Sequence, residues 1–163
     1  MLARSTPFLF LLLLLTTTVS AEKLTGRVLW VYDGDTLKIE DIGKVRLIGI
    51  DTPEIKASPR DRFYTKRFHI KPGKLRQIAH QTKNYNIHYV KGKKVRLELD
   101  QTERDKYNRL LAYVYLPDGE MLNLLLLKKG WATVFRRYDF VYKKDFLKAE
   151  KKARKKGLGL WND

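Results

Sequence analysis

The sequence predicts an α+β fold, and its five short strands with interspersed helices fit a small closed barrel of OB type with about three α-helices. Two patterns carry this expectation. Apolar or alternating runs of strand length recur between turn signals, three of them before residue 55 and two between residues 95 and 116. Leucine-rich and lysine-rich stretches of helical spacing then fill the rest of the chain.

The elements follow in order. Val28 to Tyr32 is apolar with aromatic and β-branched residues, and Asp33-Gly34 turns the chain. Thr36 to Glu40 alternates as a half-buried strand, Asp41 to Lys44 turns again, and Val45 to Ile50 forms a third, nearly continuous apolar strand. Ile55 to Lys74 is basic and rich in Pro, Gly and Arg without a sustained period, which predicts a long surface loop ending at a helix start near Pro72. Ile78, Thr82, Tyr85 and Tyr89 lie on one side of that helix, and Gly92 is its stop. Val95, Leu97 and Leu99 alternate with charged residues as the fourth strand, and Leu110 to Leu116 is the fifth. Met121 to Lys129 is a short buried helix capped at Gly130. Val141 to Lys156 is the last helix, with Phe146, Ala149 and Ala153 on one side and lysines on the other. Leu160 and Trp161 are expected to pack back onto the core.

The first 21 residues read as a cleaved export signal. Arg4 is the basic region, Phe8 to Leu15 the apolar stretch, and Val19-Ser20-Ala21 the cleavage site. The apolar stretch is shorter than the roughly 20 residues a spanning helix needs. Cleavage would leave residues 22–163 as one domain of 142 residues, secreted or periplasmic, with no membrane span. With no cysteine there is no lipid-attachment thiol and no disulfide. The formal charge of +16 becomes +15 once Arg4 is removed, which attracts polyanions but says nothing about fold. The lysines of the last helix form a solvated face suited to long-range attraction rather than specific contact.

Three segments carry chemistry. Asp33-Gly34-Asp35-Thr36 is by itself a common hairpin turn, but Asp35 shares parity with Leu37 and Ile39, so its carboxylate tends inward and needs a partner or a metal. In Val45-Arg46-Leu47-Ile48-Gly49-Ile50-Asp51-Thr52-Pro53-Glu54, Arg46 interrupts an apolar strand that ends at Asp51. Arg46 either makes a core salt bridge with Asp35 or Asp51, or is presented to a phosphate. Asp35, Asp51 and a backbone carbonyl such as that of Thr52 are oxygen ligands, suited to calcium or magnesium rather than zinc. His69, His80 and His88 have no metal-binding spacing. Asp105-Lys106-Tyr107-Asn108-Arg109 opens the fifth strand and reads alone as a charged turn.

These segments, together with Gly157-Leu158-Gly159-Leu160-Trp161, resemble the staphylococcal nuclease (thermonuclease) family from about Thr25 to Trp161. The resemblance implies the OB-type barrel and an endonuclease acting on DNA and RNA that leaves 3′-phosphate ends. It implies one calcium ion, in preference to magnesium, held by Asp35, Asp51 and the Thr52 carbonyl, with Glu54 as general base and Arg46 and Arg109 as phosphate-binding catalytic residues. Lys106, Tyr107, Arg136 and Tyr138 are its candidate substrate contacts, with Arg136 standing where the staphylococcal protein has tyrosine. A monomer with no stable protein partner is expected. The alternative is a non-catalytic OB-type nucleic-acid-binding module, which would not require Glu54, both arginines and the metal ligands together.

Overall fold

The computed structural model describes residues 24–162. The export signal expected over residues 1–21 lies outside them. The chain folds as β1 (Thr25–Val31), β2 (Thr36–Ile39), β3 (Gly43–Leu47), β4 (Ile50–Asp51), α1 (Asp61–Phe68), α2 (Pro72–Tyr89), β5 (Lys94–Arg104), β6 (Leu110–Tyr115), α3 (Leu122–Lys128), β7 (Thr133–Val134), α4 (Lys143–Lys155) and a short 3-10 turn (Gly159–Trp161).

Five strands close into a barrel in the order β1-β2-β3-β6-β5, and β5 pairs back onto β1. All neighbours are antiparallel except β3 and β6. The OB-type expectation therefore holds. Inward positions alternate as the sequence indicates: Leu37 and Ile39, Val45 and Leu47, Val95 and Leu97, Ala112 and Val114 are all buried in one core. Closure leaves none of these five strands with a free edge.

Two elements depart from expectation. The third strand breaks after Leu47, and Gly49 takes a φ of +77° against the Phe140 ring, which a Cβ there would approach to 2.7 Å. Beyond this kink Ile50 and Asp51 leave the barrel and pair with Val134 and Thr133. The basic segment over residues 55–74 contains a helix, α1, so the described residues hold four α-helices rather than three. Only Tyr64 of α1 is fully buried, which is why no helical period shows in the sequence. Tertiary contacts hold α1: Phe63 and Phe68 pack edge-on at 5.5 Å, and Phe68 meets Trp161 at 5.1 Å.

α2 begins with Pro72, as expected, because proline lacks the N–H that a first turn leaves unpaired. Its buried stripe is Leu75, Ile78, Ala79, Thr82 and Asn86, while Tyr89 is exposed and merely stacks on Tyr85. α3 ends where Gly130 turns left-handed at φ +70°, letting Trp131 N–H bond the Leu126 carbonyl. In α4, Phe146, Glu150 and Ala153 are buried and Lys151, Lys152 and Lys155 are exposed. Leu160 is buried, as expected.

Candidate active site

The site forms where the β1–β2 turn, the end of β3, β4 and α1 meet. Asp33 Oδ1 accepts the Asp35 N–H at 3.0 Å, closing a tight turn over Gly34. Thr52 packs directly on that glycine, since a Cβ there would lie 2.7 Å from Thr52 Oγ1. Asn86 of α2 donates to the Gly34 carbonyl at 2.9 Å and pins the turn to the helix. Asp35 is thus buried with one oxygen fully engaged: Oδ2 accepts both the N–H and the hydroxyl of Thr52 at 2.9 Å.

Arg46 stands opposite Thr36 in the β2–β3 ladder. Val45 and Leu47 point into the core, so parity sends Arg46 to the other side, where it is half-buried among the carboxylates. Its Nη1 pairs with Asp35 Oδ1, and its Nη2 reaches Asp51 Oδ1 at 3.4 Å and the Ile50 carbonyl at 3.2 Å. Burial pulls the guanidinium below its ordinary pKa, and the charges of Asp51 and Asp33 oppose that.

Asp51 is buried at the end of β4, and α1 fixes it in a way the loop reading could not foresee. The fully buried Tyr64 donates to Asp51 Oδ2 at 2.8 Å, and Arg60 Nε donates to the same oxygen at 2.8 Å. Phe63 lies under the Arg60 guanidinium at 4.2 Å. Arg60 and Tyr64 are four apart, a spacing that places both on one helical face and was the available signal for them.

Glu54 follows the buried Pro53 and is itself exposed. Partial desolvation, then the charges of Asp33 and Asp51, raise its pKa. A carboxyl raised in the folded state binds its proton more tightly there than when unfolded, so its contribution to stability falls as pH rises above the unfolded value. Glu54→Gln should therefore raise the thermal midpoint at neutral pH, with the advantage disappearing in acid, where both side chains are neutral. A midpoint lowered at pH 7 would contradict this.

Arg109 arrives from the turn before β6. Asp105 holds it with three contacts, Oδ2 accepting Nε at 2.8 Å and Nη2 at 2.7 Å while Oδ1 accepts its N–H at 3.0 Å. Its Nη1 reaches Thr36 Oγ1 at 3.5 Å, one residue from Asp35. Asp105 is thus a positioning residue visible in the motif but without an evident role there. Arg46, Arg109, Lys106, Tyr107 and Tyr138 line one groove of about 670 Å³, and both tyrosines are largely exposed.

Arg136 is placed elsewhere. Its guanidinium pairs with the buried Glu150 of α4, and its Nη1 also donates to the Val134 carbonyl at 3.0 Å. Arg137 lines the groove instead. Arg136 was expected to contact substrate, and in this structure it forms an ion pair with a buried carboxylate on α4. His69, His80 and His88 are exposed, in keeping with solvated roles.

The donor set fits a hard cation. Asp35 and Asp51 each commit Oδ2 to the scaffold and turn Oδ1 toward one shared positive group, at present Arg46. Arg46 Nη1 is buried there without a well-aligned hydrogen bond. No cluster of three or more His, Cys, Asp or Glu side chains able to hold a metal occurs among the described residues, so two carboxylates would need a carbonyl and water to complete a shell.

The chain is similar to known proteins over most of its length. The family model described as staphylococcal nuclease homologue matches residues 44–163. An uncharacterised protein of Methanocaldococcus jannaschii is 34% identical, over 84% of this chain and 71% of that protein. The thermonuclease of Staphylococcus hyicus is 33% identical, over 88% of this chain and 79% of its own. That of Staphylococcus intermedius is 37% identical, over 80% and 72%.

Proposed function

The chain belongs to the staphylococcal nuclease homologue family and is a nuclease, and on that premise we propose that it is an exported, calcium-dependent phosphodiesterase of DNA and RNA. The observation that carries the reading is the convergence of Asp35 Oδ1 and Asp51 Oδ1 on one cationic position, with Glu54 near enough to feel the Asp51 charge and Arg109 reaching Thr36 beside Asp35. Asp35, Asp51 and the Thr52 carbonyl would hold one calcium ion. When bound, calcium would supply Lewis-acid polarisation of a phosphoryl oxygen.

The remaining steps belong to the side chains. Glu54 accepts the proton of the attacking water as the new O–P bond forms, and a pKa raised by partial desolvation and by the charges of Asp33 and Asp51 makes it a stronger base than an ordinary carboxylate. Arg46 exchanges its carboxylate partners for the phosphate, and Arg109, already oriented by Asp105, contacts a second oxygen. Both guanidiniums meet more negative charge in the pentacoordinate transition state than in the ground state. The bond to the 5′ oxygen breaks, solvent protonates that oxygen, and a 3′-phosphate end remains. Binding through backbone charge rather than base edges gives sequence tolerance.

Chelation is expected to abolish cleavage of plasmid DNA and RNA, with calcium restoring it more fully than magnesium. Calcium should also raise the thermal midpoint of the parent and not that of Asp51→Asn, a readout independent of turnover. Full activity in excess chelator would overturn the metal assignment. No helix among the described residues is long and apolar enough to cross a membrane. Export through cleavage after Ala21 is read from residues 1–21, and a secreted product beginning at Glu22 on mass analysis is its test.

A further inference from the structure

The outer face of β1 carries groups that the chemistry above does not use. Trp30 is 53% exposed and Tyr32 39%, with the buried Val31 between them. Tyr32 directly follows the end of β1 and continues its pairing, its N–H bonding the Thr36 carbonyl at 3.0 Å. Two residues of extended chain thus set the side chains about 7 Å apart. β1 already has both neighbours in the closed barrel, so this face is not an edge awaiting another strand. Each ring bears an ammonium: Lys91 Nζ lies 4.8 Å from the Trp30 ring centre and Lys44 Nζ lies 4.3 Å from that of Tyr32. The row runs into a cleft of about 610 Å³ lined by Tyr32, Glu54, Lys56, Arg60 and Lys83. This cleft and the Arg46–Arg109 groove share no lining residue: Glu54 lines the cleft, and Arg46 and Arg109 line the groove.

A polymer cut at that pair must continue in both directions. We propose that Trp30 and Tyr32, with Lys44, Lys83 and Lys91, form a stacking track for one unpaired arm of a nucleic-acid substrate, leading away from the centre on the Glu54 side; this rests on the nuclease reading above. Exposed aromatic faces accept any base by stacking, while interleaved ammoniums follow the phosphates. Their separation of about two strand residues is on the scale of one extended nucleotide. A duplex hides its base faces, so the track selects single strands and unwound ends. The alternation of cation and ring favours a polyanion over an apolar protein partner, which would leave the lysines unpaired.

The test uses the full-length protein, Trp30→Ala/Tyr32→Ala, and Lys91→Glu. Anisotropy with a fluorescein-labelled thymidine 12-mer, in chelator so that nothing is cut, measures binding. Turnover of a dinucleotide with calcium measures the centre alone. The aromatic variant should weaken 12-mer binding by about tenfold or more, from the usual loss per stacked base. Dinucleotide turnover and 12-base-pair duplex binding should stay near parent values, and Lys91→Glu should weaken the 12-mer without touching either ring. Parent-like 12-mer affinity in both variants overturns the proposal, as does equal loss on dinucleotide and 12-mer. A parent that self-associates in light scattering, and variants that do not while binding the 12-mer normally, would assign the face to a second copy instead. If the variants lose the 12-mer but the parent cuts nothing with calcium, the track stands and the hydrolytic chemistry falls.

Discussion

Glu54→Gln is expected to lower the single-turnover rate by about a hundredfold or more while substrate affinity persists, because it keeps size and hydrogen bonding but removes the base. Arg46→Lys should show a rate loss greater than its affinity loss. Lysine keeps the charge but loses the planar fork that can grip two phosphate oxygens. The same fork now spans Asp35 and Asp51, so this variant should also lose thermal stability without metal. The two effects separate in one experiment. If Arg46 is only a salt-bridge partner, the folded fraction of Arg46→Lys cuts at the parent rate; if it stabilises the transition state, saturating calcium restores the midpoint and leaves the rate low. Folded Glu54→Gln that binds substrate and cuts normally would remove that residue from the mechanism.

Arg136→Ala is expected to be a stability defect rather than a binding defect. Glu150 is 2% exposed and accepts the Val134 N–H at 2.8 Å in addition to the Arg136 pair. Removing the arginine strands a buried carboxylate, at a cost of about 2–4 kcal/mol once the partly wet arginine end is allowed for. For a domain of this size the midpoint should fall by on the order of 10 °C. The double change Arg136→Met/Glu150→Gln removes both charges and should recover much of the loss. KM on a short substrate should stay near the parent value. A raised KM with an unchanged midpoint would return Arg136 to the substrate.

The site was legible to the extent that it is written in local patterns. Asp35 was traceable because strand parity turns it inward, and Arg46 because a guanidinium interrupts an apolar strand. Arg109 was traceable only through its resemblance to a family motif, since an arginine after a charged turn is otherwise unremarkable. α1 was not legible, because a helix with one fully buried side chain has no apolar period to display. Arg60 and Tyr64 went unseen with it. Arg136 was singled out because it stands where the staphylococcal protein has tyrosine, and no local pattern showed that a buried glutamate fourteen residues later would pair with it.

The sequence by itself determined the α+β class, the number of barrel strands, and their inward and outward faces, because these rest on period and turn residues along the chain. Barrel closure, the break after Leu47 that carries Asp51 out to β7, and the clamp of α1 on Asp51 were decided only by the tertiary structure. Each depends on groups far apart in sequence meeting at hydrogen-bond distance. A buried carboxylate takes whichever donors the packed chain delivers to it, and no local pattern records which those are.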